Sequence, residues 1–280
     1  MEFGNVAVRV ISDGSFLLDG GPVFGIVPKT LWERAAKPDR KNRVRLGLNS
    51  LLIRTPDTNL LVDCGIGSKD PETSREVYGH SSSKLLRNLR KQGVSARDIN
   101  LVLLTHLHFD HSGGATRLDR EGSLVPTFPR AKYLVQRSSW EEAFNPNERA
   151  LSSFANGCDH LRTLEERGQL VLLDGDTEIV PGVRTHVTGG PSIGHQVVTV
   201  DAGSERFMYL GDLVPTPNHL PLPYITAFDT TPEVTLAKKK EMLDRCEREG
   251  RLMVFSHGYG DYAGYLERRR GAAALRPIAV

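Results

Sequence analysis

The sequence predicts an α/β fold of two similar layered units packed face to face, with mixed β-sheets inside and helices outside. Three observations predict it. The order of elements occurs twice: in each half a β-hairpin ends at an aspartate, a helix follows, and a strand then ends at a histidine. Asp63 corresponds to Asp212, and Thr105-His106 corresponds to Ser256-His257. At 280 residues the chain lies near the upper limit for one hydrophobic core, which suits a single domain, residues 1–280, made of two tight halves.

The elements follow in order. Residues 6–18, VAVRVISDGSFLL, alternate well enough for a first hairpin with Asp13-Gly14 at its turn. Residues 20–46 break that pattern and read as a loop extension near the prospective site, with one or two helical turns over 31–37 and a basic run at Arg40, Lys41, Arg43 and Arg45. Residues 48–54 and 59–63 read as strands around a Pro56-Asp57 turn. Residues 82–92 read as a helix stopped by Gly93, and 101–104 as a buried strand. In the middle section, 133–136, 170–173 and 178–187 read as strand. Residues 138–144 and part of 148–168 read as helix, the latter ended by Gly168. The second half gives a hairpin from 197–200 and 206–210, and a helix over 235–249. The apolar members of that helix are Leu236, Met242, Leu243 and Cys246, and a strand at 252–255 follows it.

Composition removes several classes. Hydrophobic residues make up 39% and charged residues 25%, so the chain is not a long disordered one. Lys and Arg total 36 against 34 Asp and Glu, a net charge of +2, which gives no basic surface for nucleic acid. Apolar runs are only a few residues long, so no membrane span is expected. The opening MEFGNVAVRVISDG has no basic segment followed by an apolar stretch, so no secretory signal is read. Three widely spaced cysteines, Cys64, Cys158 and Cys246, read as free thiols in a reducing cytoplasm.

The chemistry concentrates at strand ends. In His106-Leu107-His108-Phe109-Asp110-His111, alternation places His106 and His108 on one side, where two imidazoles can grip one cation. Asp110 and His111 follow as the chain turns and can face a second point, and Gly113-Gly114 permits a tight backbone approach. Three histidines and an aspartate within six residues make a poor core segment, because each buried imidazole needs partners. His195 follows a glycine-rich turn, Asp212 follows Gly211 at a strand end, and His257 follows a strand. Five histidines and two aspartates suit two divalent cations. With no cysteine ligand, zinc fits first, with iron, manganese or cobalt as the others. The reading assigns His106, His108 and His195 to one ion, Asp110, His111 and His257 to the other, and Asp212 to both. Asp63 would accept a hydrogen bond that orients a ligand imidazole.

The string HLHFDHSGG, followed by His195, Gly211-Asp212 and His257, resembles the metallo-β-lactamase superfamily over roughly residues 47–258. The resemblance implies an αββα sandwich. It points further to the branch of N-acyl homoserine lactonases and methyl parathion hydrolases, which the stretch DGGPVFGIVPKTLWE also resembles. Two positions depart from the pattern. Pro191 stands where a non-ligating histidine is common. Pro215 stands where lactonases of the branch often carry a tyrosine beside the ring carbonyl, and Tyr224 on the same loop is the candidate to replace it.

The expected function is hydrolysis of a lactone or carboxylic ester by a hydroxide shared between two ions, with Asp110 as both ligand and proton shuttle. A β-lactam or an organophosphate ester at the same ions is the alternative, and a mononuclear iron dioxygenase is less favoured. Phe24, Ile26 and Trp32 on one side, and Leu220, Leu222, Tyr224 and Phe228 on the other, are the expected apolar walls for a small-molecule substrate, with His219 a further candidate contact. Exposed apolar loops make a homodimer an expectation as well.

Overall fold

The computed structural model describes residues 2–3, 6–80, 82–154, 158–269 and 271–278. Its strands in the first part of the chain are β1 (Glu2–Phe3), β2 (Val6–Asp19), β3 (Arg43–Arg54), β4 (Asn59–Val62), β5 (Leu101–Leu103), β6 (Thr116–Leu118), β7 (Leu124–Pro126), β8 (Lys132–Gln136) and β9 (Leu170–Leu173). Then come β10 (Glu178–Val180), β11 (Val183–Val187), β12 (Gln196–Ala202), β13 (Glu205–Tyr209), β14 (Leu252–Val254), β15 (Ala263–Arg269) and β16 (Ala272–Pro277). The helices are α1 (Gly20–Phe24), α2 (Lys29–Trp32), α3 (Pro71–Glu76), α4 (Leu85–Lys91), α5 (Phe109–Ser112), α6 (Arg137–Phe144), α7 (Asp159–Glu166) and α8 (Pro232–Glu249). Two compact units emerge, one from residues 1–14 and 48–175, the other from 15–47 and 176–280.

The first unit carries a mixed seven-stranded sheet in the order β1-β2-β3-β4-β5-β8-β9. β3 and β4 pair antiparallel with Leu51 opposite Val62, and β4, β5 and β8 then run parallel. Leu51, Leu52 and Ile53 are all fully buried, so both faces of β3 are covered and the alternation of a one-sided strand is lost. Leu85 and Leu89 on α4, and Leu161 and Leu164 on α7, pack into one cluster with Leu52, Leu61, Val102 and Tyr133. Each such buried side chain stabilises the fold by about 1.5–3 kcal/mol.

The second unit repeats the arrangement. Its seven-stranded sheet runs β10-β11-β12-β13-β14-β15-β16. β12 and β13 form an antiparallel hairpin, and β13 and β14 run parallel, as β4 and β5 do. α8 begins at Pro232 and ends at Gly250, whose left-handed backbone (φ 61°) bonds back to the last turn. Its buried stripe is Thr235, Lys239, Met242, Leu243 and Cys246, and the apolar members pack on Val197, Met208 and Met253.

Several expectations are corrected. Residues 6–18 are not a hairpin but part of one continuous strand. Asp13-Gly14 does not turn the chain because the buried Asp13 carboxylate is engaged elsewhere. It accepts from Ser83 Oγ (2.5 Å) and from the backbone N–H groups of Lys84 (2.7 Å) and Leu85 (2.9 Å) at the start of α4. Residues 20–46 are not simply a loop: they contain α1, α2 and the start of β3. Leu236 is 42% exposed, and Lys239 takes the buried place on α8. The Lys239 ammonium donates to the carbonyls of Pro221 (2.8 Å), Leu222 (3.4 Å) and Tyr224 (2.8 Å), three acceptors for three protons. α3 and the β15–β16 hairpin were not read from the sequence at all.

Candidate metal centre

The first unit contributes four of the seven candidate ligands. β5 ends at Leu103, so His106 and His108 lie beyond the strand, and the pleat does not pair them. A loop brings their rings to a centroid separation of 4.4 Å instead, with donor atoms within 4.8 Å. His108 is extended (ψ 151°) and the chain then enters α5, whose first turn carries Asp110 and His111. Their donor atoms also lie within 4.8 Å of one another. All four side chains are buried. Gly113 and Gly114 are required here: a Cβ on either would collide with the carbonyl oxygen of Ile66 or Cys64.

Asp63 sits at the end of the β3–β4 hairpin with φ 60°, a left-handed conformation unusual for a residue with a side chain. Its carboxylate accepts from the Thr105 N–H (2.8 Å) and hydroxyl (2.9 Å), and its Oδ2 lies 2.8 Å from His111 Nδ1. The Thr105 proton goes to Asp63, so the hydroxyl oxygen, 3.1 Å from His106 Nδ1, is left to accept.

The second unit contributes His195, Asp212 and His257. Thr188 donates to the Gly190 carbonyl (2.7 Å), which leaves its oxygen to accept from His195 Nδ1 at 2.6 Å. The Asp212 backbone N–H donates to His195 Nε2 (3.0 Å), which marks that nitrogen as the one with the lone pair. His257 Nδ1 lies 2.8 Å from the Gly47 carbonyl, which can only accept, so the proton is on Nδ1. His257 Nε2 then faces Asp212 Oδ1 at 3.1 Å, and Ser256 also donates to that oxygen (3.3 Å).

This donor chemistry fits a metal ion. His106, His111 and His257 each hold Nδ1 against a fixed oxygen and turn Nε2 to the site, the arrangement that orients imidazole ligands, whereas the His195 Nε2 lone pair meets the Asp212 N–H. Two lone-pair atoms 3.1 Å apart, as at His257 and Asp212, need a proton or a cation between them. The three cysteines are buried, and burial pushes the Cys158 and Cys246 thiols up to about 12, so they are poor ligands.

The chain matches the sequence profile of the metallo-β-lactamase superfamily over residues 44–257, a span that contains all seven candidate ligands. The chain belongs to the metallo-β-lactamase superfamily. It is a hydrolase of that superfamily, similar to its lactonase branch. An N-acyl homoserine lactonase of Bacillus thuringiensis is 27% identical over 226 residues, covering 74% of this chain and 79% of the relative. One from Bacillus cereus is 24% identical over 230 residues, 77% of this chain and 83% of the relative. A probable metal-dependent hydrolase from Staphylococcus aureus superposes with a TM-score of 0.86 at 28% identity, covering 100% of both chains. The dizinc quorum-quenching lactonase AidC shares the fold, with a TM-score of 0.81 at 21% identity over 100% of this chain and 97% of that one.

The predicted substrate walls are placed differently from one another. In the second unit Phe24 is buried between Trp32 (5.0 Å) and His219 (4.9 Å), stacked on both, with Tyr224 edge-on at 6.3 Å. Trp32 and Leu220 are buried, Ile26 is 87% exposed, and Leu222, Tyr224 and Phe228 are at least partly exposed. His219 is not free to meet substrate: Nδ1 pairs with the Thr216 hydroxyl (2.7 Å) and Nε2 with the Val23 carbonyl (2.9 Å). Burial holds it neutral, with its pKa pulled down to about 4. In the first unit a cavity of about 450 Å³ runs along Phe109, Tyr78, Ile66, Leu118 and Leu124. Tyr78 stacks on Phe109 at 4.6 Å. The sequence reading missed Thr188, Thr105 and Gly47. Serine, threonine and backbone oxygens that hold a histidine carry no motif of their own.

Proposed function

We propose that this chain hydrolyses a lactone or a carboxylic ester at two divalent metal ions, most simply zinc. One ion is assigned to His106, His108 and His195, the other to Asp110, His111 and His257, with Asp212 serving both. The reading takes residues 1–280 as one domain to which both units contribute. The observation that carries it is the set of three histidines, His106, His111 and His257, whose Nδ1 atoms are each held by an oxygen, leaving Nε2 to ligate. When bound, the ions supply an activated water near neutral pH and polarise the bond under attack.

The chain's own residues do the rest. Asp63 holds His111, and Thr188 holds His195, in the tautomer that ligates. Asp110 takes up and passes on the proton released in the reaction. Phe109 and Tyr78, with Ile66, Leu118 and Leu124, form the apolar part of a cavity that Lys69, Asp70 and Asp159 also line, and that part suits an acyl or aryl group. Ile26, Leu222 and Tyr224 are the remaining candidates for substrate contact, and the half-buried Tyr224 is the one with a polar group to offer. Phe24 and Trp32 act as the packed support of that wall. The lactonase relatives support a lactone or ester substrate, and Pro215 in place of a tyrosine favours one other than a homoserine lactone.

Free buried cysteines support a cytoplasmic setting, and no helix among the described residues is long and apolar enough to cross a membrane. Exposed Ile26 and Leu31 support a homodimer. Kinetics on a lactone, an aryl ester, a β-lactam and a phosphotriester, beside elemental analysis, test the function. Turnover of the lactone or ester in the metal-loaded protein, lost on chelation, is expected. Turnover of the β-lactam or phosphotriester alone would overturn the substrate class.

A further inference from the structure

The second unit contains a cavity of about 370 Å³ that has His257 on its wall. Phe24, Val44, Leu46 and Pro217 form part of its lining, and the first three of these are buried. The exposed part of the lining includes Ala35 and the polar residues Lys37, Arg45, Tyr259 and Asp261. The volume lies within the range of small-molecule sites.

Among the described residues, two cations on this wall stand without an anion. Arg43, two residues before Arg45, is paired with Asp39 at 2.9 Å. Arg45 instead donates to the Ser15 hydroxyl (3.0 Å) and lies over the Tyr259 ring, 5.6 Å from its centroid. Among the described residues neither Arg45 nor Lys37 has a carboxylate within ion-pair distance. A guanidinium positioned by a hydroxyl and an aromatic face is held ready, because little side-chain freedom remains to be lost when an anion arrives. The cavity itself relates this cation to the candidate metal centre, because Arg45 and His257 both line it.

We propose that this cavity recognises an anionic group on the substrate, with Arg45 and Lys37 as the specificity-determining residues. The favoured substrate is then a lactone or ester bearing a carboxylate within a few atoms of the bond that is cleaved. Asp261, the carboxylate on the same wall, works against that anion and tempers the preference. The inference rests on the hydrolytic function proposed above and narrows its substrate class.

The test compares two nitrophenyl esters in the metal-loaded protein: the hemi-ester of a five-carbon dicarboxylic acid and the ester of the matching monoacid. The hemi-ester is expected to have a kcat/KM about tenfold higher at low salt, mainly through KM, with the advantage shrinking as salt rises. In Arg45→Met and in Lys37→Met the ratio between the two esters should fall towards one, whereas Arg45→Lys should keep part of it and Asp261→Asn should raise it. Equal kcat/KM for the two esters in the wild type, or a preference that survives the Arg45→Met, Lys37→Met double substitution, would overturn the inference and leave the hydrolytic function standing. No cleavage of either ester, together with no turnover of the lactone or aryl ester in the metal-loaded protein, would overturn both.

Discussion

Asp63 shows how one residue can set the geometry of a candidate ligand. Its backbone adopts φ 60°, a conformation that costs an ordinary residue about 1–3 kcal/mol. The strain is offset by what the carboxylate does: it fixes Thr105 and holds His111 Nδ1 at 2.8 Å. Asp63→Asn keeps the shape and removes the charge, and is expected to weaken metal binding by about 10–100-fold, read by competition with a chelator. Unchanged affinity would show that Asp63 acts on the fold alone. Thr188→Val leaves the His195 Nδ1–H without its acceptor and should lower stability by about 1–3 kcal/mol in urea, whereas Thr188→Ser should keep most of it.

His219 gives a pH dependence with a definite sign. Buried against Phe24, it resists protonation down to about 4, whereas an unfolded histidine titrates near 6.5. Between those values the unfolded chain binds the extra proton, so stability is fully present above pH 6.5 and is lost as pH falls towards 4. The loss attributable to His219 between pH 7.5 and pH 5 is about 2 kcal/mol. Urea unfolding at the two pH values measures it, and His219→Gln should show a correspondingly smaller dependence.

At the scale of elements, α8 shows what hydropathy reads and what it misses. Met242, Leu243 and Cys246 were legible as its buried face. Lys239 was not, because its burial depends on three carbonyls from a proline-rich loop distant in sequence. Desolvation pulls its pKa down to about 7, and the carbonyl cage compensates. Lys239→Met should fill the same volume yet leave those carbonyls without donors. It is expected to lower Tm by several degrees and to raise protease cutting within residues 215–228; a Tm equal to the wild type would contradict the role assigned to the cage. Likewise Asp13-Gly14 carries a hairpin signal, yet the Asp13 side chain is bound to Ser83, Lys84 and Leu85. Short-range turn chemistry lost to a partner some seventy residues away, which no local pattern reveals.

Across the whole molecule, the twofold order of hairpin, aspartate, helix, strand and histidine was readable because each unit must bury its own apolar faces and so repeats the same hydrophobic pattern. The candidate ligands were readable because histidine and aspartate at strand ends stand out from that pattern. The oxygens that hold them were not: Gly47 O is backbone, and Thr188 and Thr105 look like any strand-end threonine. The substrate walls were the least legible part, since Phe24, Trp32 and Ile26 are all apolar yet end in opposite settings, two buried and one exposed. Only long-range packing separates them.

The proposed hydrolysis depends on seven side chains holding two metal ions. Elemental analysis of the purified protein, paired with lactone and ester turnover before and after chelation, tests it most directly. The expected result is about two divalent ions per chain, turnover that disappears when both are removed, and recovery on adding zinc back. Full turnover in protein stripped of metal, or a single ion per chain in fully active enzyme, would contradict it.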